Sequence, residues 1–174
     1  TLRRLAMERG KPDAQRESGF QQRDEVLIEG GLKQLQRRYD PEVEKATLRY
    51  ALKRYYALPA SQRIAEFDAA FGANEAVASA KLDTVYLGTK LGVEADRLAL
   101  MKASPDTVLA STDPLMKLAA ALQPALLRLE EEGKQRSGEL MRLRPAYMQA
   151  LIGFRESQGK AVYPDANSTL RVSY

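Results

Sequence analysis

The sequence predicts an all-α protein, a bundle of about six to eight helices. Ala (25) and Leu (24) together far outnumber Val, Ile and Thr (18), and side chains without β-branching favour helices over sheets. Apolar residues recur at helical spacing between Phe20 and Tyr39 and in several later segments. With 174 residues, the chain is long enough for one domain with a substantial core.

Cap residues followed by proline mark three helix starts, at Asp40-Pro41, Ser104-Pro105 and Asp113-Pro114. The side chain of such a residue accepts hydrogen bonds from the first turn, and proline suits the first helical position. Asn74 is a fourth N-cap candidate. These signals and the periodicity predict helices over residues 1–9, 20–39, 41–56, 60–71, 75–87 and 94–102, a single turn from 105, and a helical segment from 114 to about 158.

Two prolines and a glycine pair interrupt these helical patterns. Pro124 predicts a kink in a long C-terminal helix, and Pro145 predicts a break or restart, because proline removes one helical hydrogen bond and clashes with the preceding turn. Gly30-Gly31 indicates close helix packing or a kink. A phosphate-binding loop is disfavoured there, since no strand precedes the pair.

The chain changes character after residue 159. Residues 163–167 predict a turn, with Asp165 and Asn167 bonding to their own backbone, and residues 169–174 alternate in polarity as a strand does. An isolated strand is unstable, so its partners are expected elsewhere in a longer protein. We therefore predict a helical domain over residues 1–159 and a turn and strand over residues 160–174.

The composition excludes several kinds of chemistry. The chain has no His and no Cys, which removes the usual general base, a Ser-His-Asp triad and thiolate metal ligands. No segment is apolar enough to cross a membrane. The net charge of +4 is too mild for a typical nucleic-acid interface. We predict no catalytic residue, no cofactor, no metal, no nucleic acid and no membrane partner.

Three clusters remain as weak candidates for function. The carboxylate pair Glu42/Glu44 is better explained by a helix N-terminus, and the run of glutamates from 130 to 132 by solvent. The third cluster is basic with interleaved tyrosines, and it predicts a cation–π or salt-bridged helix surface. Tyr39 and Tyr55 fall on the apolar face and are predicted to make core or interhelix contacts. The members of the cluster are Arg3, Arg4, Arg37, Arg38, Arg49, Lys53 and Arg54, with Tyr39, Tyr50, Tyr55 and Tyr56.

Several motifs resemble one known family, in the same order along the chain. The more specific one is the C-terminal segment, and four helical pieces support it. They are residues 163–174 (YPDANSTLRVSY), then 16–24 (RESGFQQRD), 37–41 (RRYDP), 58–63 (LPASQR) and 111–115 (STDPL). The chain resembles bacterial dipeptidyl aminopeptidases, which are serine peptidases with a chymotrypsin-like double β-barrel and an inserted α-helical domain.

The resemblance implies that this chain is the C-terminal part of the helical domain and the first strand returning to an absent β-barrel. In that family the catalytic His and Asp lie upstream and the Ser downstream, so no site residue transfers to this chain. The implied role is a cap over the active-site cleft of a periplasmic or secreted enzyme that releases dipeptides from peptide N-termini. The fragment alone is expected to be inactive.

A second hypothesis is a helical interaction or dimerisation module without enzymatic role. The first hypothesis predicts two partners, a peptide substrate and the missing β-barrel. The second hypothesis predicts a second copy of the chain as the partner.

Overall fold

The computed structural model describes residues 1–162, and these residues contain eight α-helices and no strand. Three 3-10 turns lie at Asp13–Gln15, Gln22–Asp24 and Ala60–Gln62. The predicted all-α class is confirmed. The helices are α1 (Leu2–Arg9), α2 (Glu25–Gln36), α3 (Pro41–Tyr56), α4 (Ala65–Phe71), α5 (Glu75–Gly88), α6 (Glu94–Lys102), α7 (Pro105–Leu109) and α8 (Pro114–Ser157).

The predicted N-caps form. The Asp40 carboxylate accepts hydrogen bonds from the backbone N–H groups of Glu42 and Val43. The side chains of Asn74 and Ser104 cap α5 and α7 in the same way, and Asp113 accepts from the N–H of Leu115 at 2.8 Å. Each cap satisfies a donor that the first helical turn leaves without an intrahelical partner.

The prediction that Pro145 breaks or restarts the last helix is wrong, because α8 runs without interruption from Pro114 to Ser157. One proline deletes a single hydrogen bond at a cost of about 3 kcal/mol, and the helical bonds on both sides of it continue the helix. Two other helices are shorter than predicted. Residues 20–24 and 60–64 precede α2 and α4 as 3-10 turns and extended segments.

Residues 1–127 form one compact unit with two apolar clusters. In the first, Leu52 of α3 and Phe71 of α4 pack with Ala78 and Leu82 of α5. In the second, Ala6 of α1 contacts Val108 of α7 and Met116 of α8. The first cluster joins three consecutive helices, whereas the second joins α1 to helices about 100 residues later. Burial of this apolar surface stabilises the unit.

Residues 128–174 form the second unit, and its described part is the C-terminal portion of α8 followed by residues 158–162. Side chains from 134 to 150 are all exposed. Ion pairs four residues apart join Glu130 to Lys134 and Glu132 to Arg136. Such pairs add a few tenths of a kcal/mol each to an exposed helix.

The close packing predicted at Gly30-Gly31 is absent, because a Cβ at either position would meet no atom within 4 Å. Gly72 differs. Its φ is +110°, and a Cβ there would lie 2.5 Å from Cγ1 of Val77. We expect Gly30→Ala to raise the free energy of unfolding by about 0.5–1 kcal/mol and Gly72→Ala to lower it by more than about 1 kcal/mol. Urea denaturation of the two variants measures the change in the free energy of unfolding for each. Equal changes would contradict the positive φ of Gly72 and the helical, open site of Gly30.

The turn predicted at residues 163–167 and the strand at 169–174 lie outside the described residues. The domain boundary at residue 159 stays a prediction. Among residues 1–162, no helix has both the length and the apolar character needed to cross a membrane.

Candidate functional site

Arg97 of α6 is the most buried charged side chain described, with 3% of its surface exposed. Its Nη1 donates to the carbonyl oxygen of Leu91 at 2.8 Å, and Nη2 donates to Oε1 of Gln36 at 2.8 Å. The guanidinium also lies 6.0 Å from the ring centre of Tyr39. Arg97 therefore joins α2, α6 and the loop between α5 and α6 through directional bonds that a Lys side chain would not reproduce.

A cavity of about 260 Å³ adjoins Arg97 and is also lined by Tyr39, Glu44 and Tyr86. The Tyr86 hydroxyl donates to Oε2 of Glu44 at 3.0 Å. Burial, and then the hydrogen bond to Glu44, raise the pKa of Tyr86, and burial also raises the pKa of Tyr39. Both phenols therefore stay protonated at neutral pH, and the Tyr86 hydroxyl can act as the donor to Glu44. The cavity is polar on one side but holds no activated nucleophile.

A larger groove of about 520 Å³ lies between α4, α5 and the first turns of α8. Its lining is mainly apolar and includes Val85 and Leu118, and the charged residues Glu66, Lys81 and Lys117 also line it. Such a groove suits an apolar ligand group. Its lining contains no His or Cys.

Glu42 and Glu44, which the sequence assigns to a helix N-terminus, both contact polar side chains in the structure. Glu42 forms an ion pair with Lys45 at 2.5 Å in the first turn of α3, as a helix N-terminus favours. Glu44 accepts a hydrogen bond from the Tyr86 hydroxyl of α5. Residue spacing alone does not reveal this contact, because the two residues lie on different helices.

The basic residues mostly pair with neighbouring side chains. Arg4 forms an ion pair with Glu17 at 2.6 Å, and Arg49 pairs with Asp83. Arg54 lies over the ring of Tyr50. These contacts agree with the prediction of a salt-bridged and cation–π helix surface.

Of the two tyrosines predicted to make core or interhelix contacts, Tyr39 lies beside Arg97 of α6 and Tyr55 packs among aromatic rings. Tyr56, for which no such prediction was made, packs there as well. Tyr55 and Tyr56 meet edge to face with ring centres 5.2 Å apart, and Tyr55 also contacts Phe67. The Tyr55 hydroxyl donates to the carbonyl oxygen of Ile64, or to Asp68 at 3.1 Å, and accepts from the N–H of Ile64. These rings are therefore committed to packing and cannot stack on a nucleic-acid base.

Sequence reasoning missed the two buried charges, Arg97 and Glu8. Glu8 accepts from Lys11 at 2.6 Å and from the N–H of Glu17 at 2.8 Å, and these bonds lower its pKa. Both residues occur in ordinary helical sequence, and no local signal distinguishes them from exposed charges. Within residues 1–162, no group of three His, Cys, Asp or Glu side chains could hold a metal ion.

Fold and site together describe a helical structural segment whose polar groups serve packing. In a comparison with known proteins, the Peptidase S46 family profile matches residues 1–174. The chain is also 41% identical, over 176 residues, to an Asp/Glu-specific dipeptidyl-peptidase of Shewanella putrefaciens. The match covers 100% of this chain and 24% of that relative. The chain belongs to the peptidase S46 family, and it spans about a quarter of the length of the curated relative that it matches.

Proposed function

We propose that this chain is the helical cap domain of a serine-type dipeptidyl peptidase that releases dipeptides from the N-termini of peptides. The observation that carries the proposal is the family match over the whole chain, found in a chain without His or Cys. A triad needs a base that this chain lacks. The catalytic groups would therefore lie on other parts of the protein.

The cap would act by shape. Exopeptidases need one end of the cleft closed so that only a chain terminus fits, and a helical insert can close it without supplying a catalytic group. Closing a cleft also excludes water and positions the substrate. The buried clusters and capped helices of residues 1–127 support this role, because a cap must keep its shape.

The substrate class to test first is a peptide with Asp or Glu in its N-terminal dipeptide, because the relative of Shewanella putrefaciens is named as Asp/Glu-specific. The enzyme is proposed to work in the periplasm or outside the cell. Fractionation of the source organism tests the location, and recovery of the protein with the cytoplasm would contradict it.

The activity test compares the full-length protein with residues 1–174 on chromogenic dipeptidyl substrates. The full-length protein is expected to release dipeptides and to be inactivated by a serine-directed fluorophosphonate, while residues 1–174 release none. A full-length protein without dipeptidyl activity would overturn the proposal. Activity in residues 1–174 would overturn the placement of the triad elsewhere.

A further inference from the structure

The cavity beside Arg97 brings together three side chains whose hydrogen-bonding groups are not all used. Arg97 makes three hydrogen bonds with its five N–H groups, and its buried Nε has no partner among residues 1–162. The hydroxyl of Tyr39 and Oε1 of Glu44 also form no hydrogen bond within that part of the chain. Polar groups left without a partner in a packed interior commonly mark the place of water or of a ligand.

Two charged groups of the cavity lack a counter-charge in the described residues. Every acceptor of Arg97 is a neutral oxygen, on two backbone carbonyls and the Gln36 side chain, and Glu44 accepts only from the neutral hydroxyl of Tyr86. Both charges act on Tyr39. Burial is the main cause that raises the pKa of the Tyr39 hydroxyl, Glu44 raises that pKa further, and Arg97 lowers it. A positive and a negative charge, neither of them in an ion pair, therefore lie near one tyrosine.

The other side chains around the cavity leave these two charges available. Arg3 also lines the cavity, but its guanidinium donates to Oε1 of Gln123 at 2.7 Å and to the carbonyl oxygen of Leu109. Most of the remaining lining is apolar, and it includes Leu32, Leu35, Leu91, Leu115 and Met116. The cavity of about 260 Å³ has the volume of roughly nine water molecules. It therefore suits a ligand of about ten non-hydrogen atoms with an apolar part.

We propose that this cavity binds a small zwitterion with an apolar side chain, which is the chemistry of an amino acid or a dipeptide. The ammonium group would pair with Glu44, the carboxylate with Arg97 and the Tyr39 hydroxyl, and the side chain would lie among the leucines. Charge-assisted hydrogen bonds of this kind are stronger than neutral ones. A simple anion would leave Glu44 without a counter-charge, and a simple cation would leave Arg97 without one.

The proposed ligand would link two helices, because Glu44 belongs to α3 and Arg97 to α6. A ligand that binds only the folded state is expected to stabilise the protein and raise its Tm. The inference goes beyond the proposed function and does not depend on peptidase activity. If the full-length protein does release dipeptides, its own products have the chemistry that the cavity selects.

The first experiment tests the ligand chemistry by isothermal titration calorimetry of the full-length protein. The probes are L-leucine and L-leucylglycine, each also in an N-acetylated form without the ammonium group and in an amidated form without the carboxylate. At least one zwitterion is expected to bind, and its two blocked forms at least about tenfold more weakly. The tighter zwitterion identifies the ligand as an amino acid or as a dipeptide. Blocked forms that bind as well as their parent would overturn the proposal.

The second experiment places the ligand in the cavity by comparing two variants of one helix. Glu44→Gln removes the negative charge but keeps a carbonyl oxygen for the hydroxyl of Tyr86. Glu42→Gln is the matched control, because Glu42 pairs with Lys45 and does not line the cavity. Glu44→Gln is expected to weaken binding of the zwitterion at least about tenfold, and Glu42→Gln is expected to leave it unchanged. Equal affinities in the two variants would contradict the site.

A second pair of variants tests the cavity without changing a charge. Tyr39→Phe removes the unpartnered hydroxyl, and Tyr50→Phe removes a hydroxyl from a side chain that is 62% exposed and lies outside the cavity. The first change should weaken binding about two- to tenfold, as the loss of a hydrogen bond does, and the second should have no effect. The Tm of each variant without ligand shows that the fold is retained. An unchanged affinity in Tyr39→Phe would count against the cavity as the site.

Other occupants give different results, and each would overturn the proposal. Binding that a serine-directed fluorophosphonate abolishes, and that Glu44→Gln leaves unchanged, would place the zwitterion in a peptidase active site. Failure of every probe to bind would mean that the cavity holds only water, or a segment ahead of Thr1, which also lines it. By contrast, binding that depends on Glu44 in a full-length protein without peptidase activity would uphold this site and reject only the proposed function.

Discussion

Replacing Leu82 by alanine is expected to lower the free energy of unfolding by about 3–5 kcal/mol. Leu82 is 1% exposed and lies at the centre of the cluster formed by α3, α4 and α5. The loss combines the transfer free energy of the deleted methyl groups with the cost of the cavity that they leave. For a chain of this size the change corresponds to a fall in Tm of roughly 10 °C.

The matched control is Leu87→Ala, on the same helix. Leu87 is 90% exposed, so its truncation should change the free energy of unfolding by no more than about 0.5 kcal/mol. Because the two variants make the same chemical change, their difference reports burial alone. Chemical denaturation of both, with the slope of the transition compared to the wild type, measures it. Similar losses for Leu82 and Leu87 would contradict the packing of α5.

The second large effect is expected for Arg97→Met, which should destabilise the chain by about 2–3 kcal/mol. Methionine keeps the apolar volume, but it leaves the carbonyl of Leu91 and the amide of Gln36 without their donor. Arg97→Lys should restore only part of the loss, because an ammonium group cannot serve acceptors that the planar guanidinium reaches together.

Arg49→Met is the control for the loss of an arginine. Arg49 pairs with Asp83 at the surface, and such pairs contribute about 1 kcal/mol or less. The effect of Arg49→Met should shrink in 1 M salt, while that of Arg97→Met should persist, because buried interactions are screened less. Nε of Arg97 is buried without a partner, and burying a charge is costly in itself. A Met variant as stable as the wild type would mean that this cost outweighs the hydrogen bonds.

Local sequence was enough to predict most helix boundaries. The predicted starts at Pro41, Glu75 and Pro114 agree with the structure, because a cap depends on a side chain and the backbone within three residues of it. Pro145 shows where local reasoning fails. Its steric cost predicts a break, but the helix continues through it. The cost of one proline is local, and the hydrogen bonds on both sides of it in this 44-residue helix outweigh that cost.

The candidate site was much less predictable. Tyr55 was predicted from its position on the apolar face to make core or interhelix contacts, and it packs against Phe67 of α4. The contact between Glu44 and Tyr86 joins residues 42 positions apart, and the partners of Arg97 reach back to α2. No periodicity indicates such pairs, because they depend on how separate helices meet.

The sequence by itself determined the all-α class, the caps, the absence of a histidine or cysteine base and the family resemblance that the comparisons confirmed. These properties reside in single residues or in short stretches of chain. Only the tertiary structure decided which charges are buried, which leucines form the core and which apolar side chains of α8 stay exposed. Burial is a property of surfaces brought together by distant segments, so identical residues such as Leu82 and Leu87 acquire opposite roles on one helix.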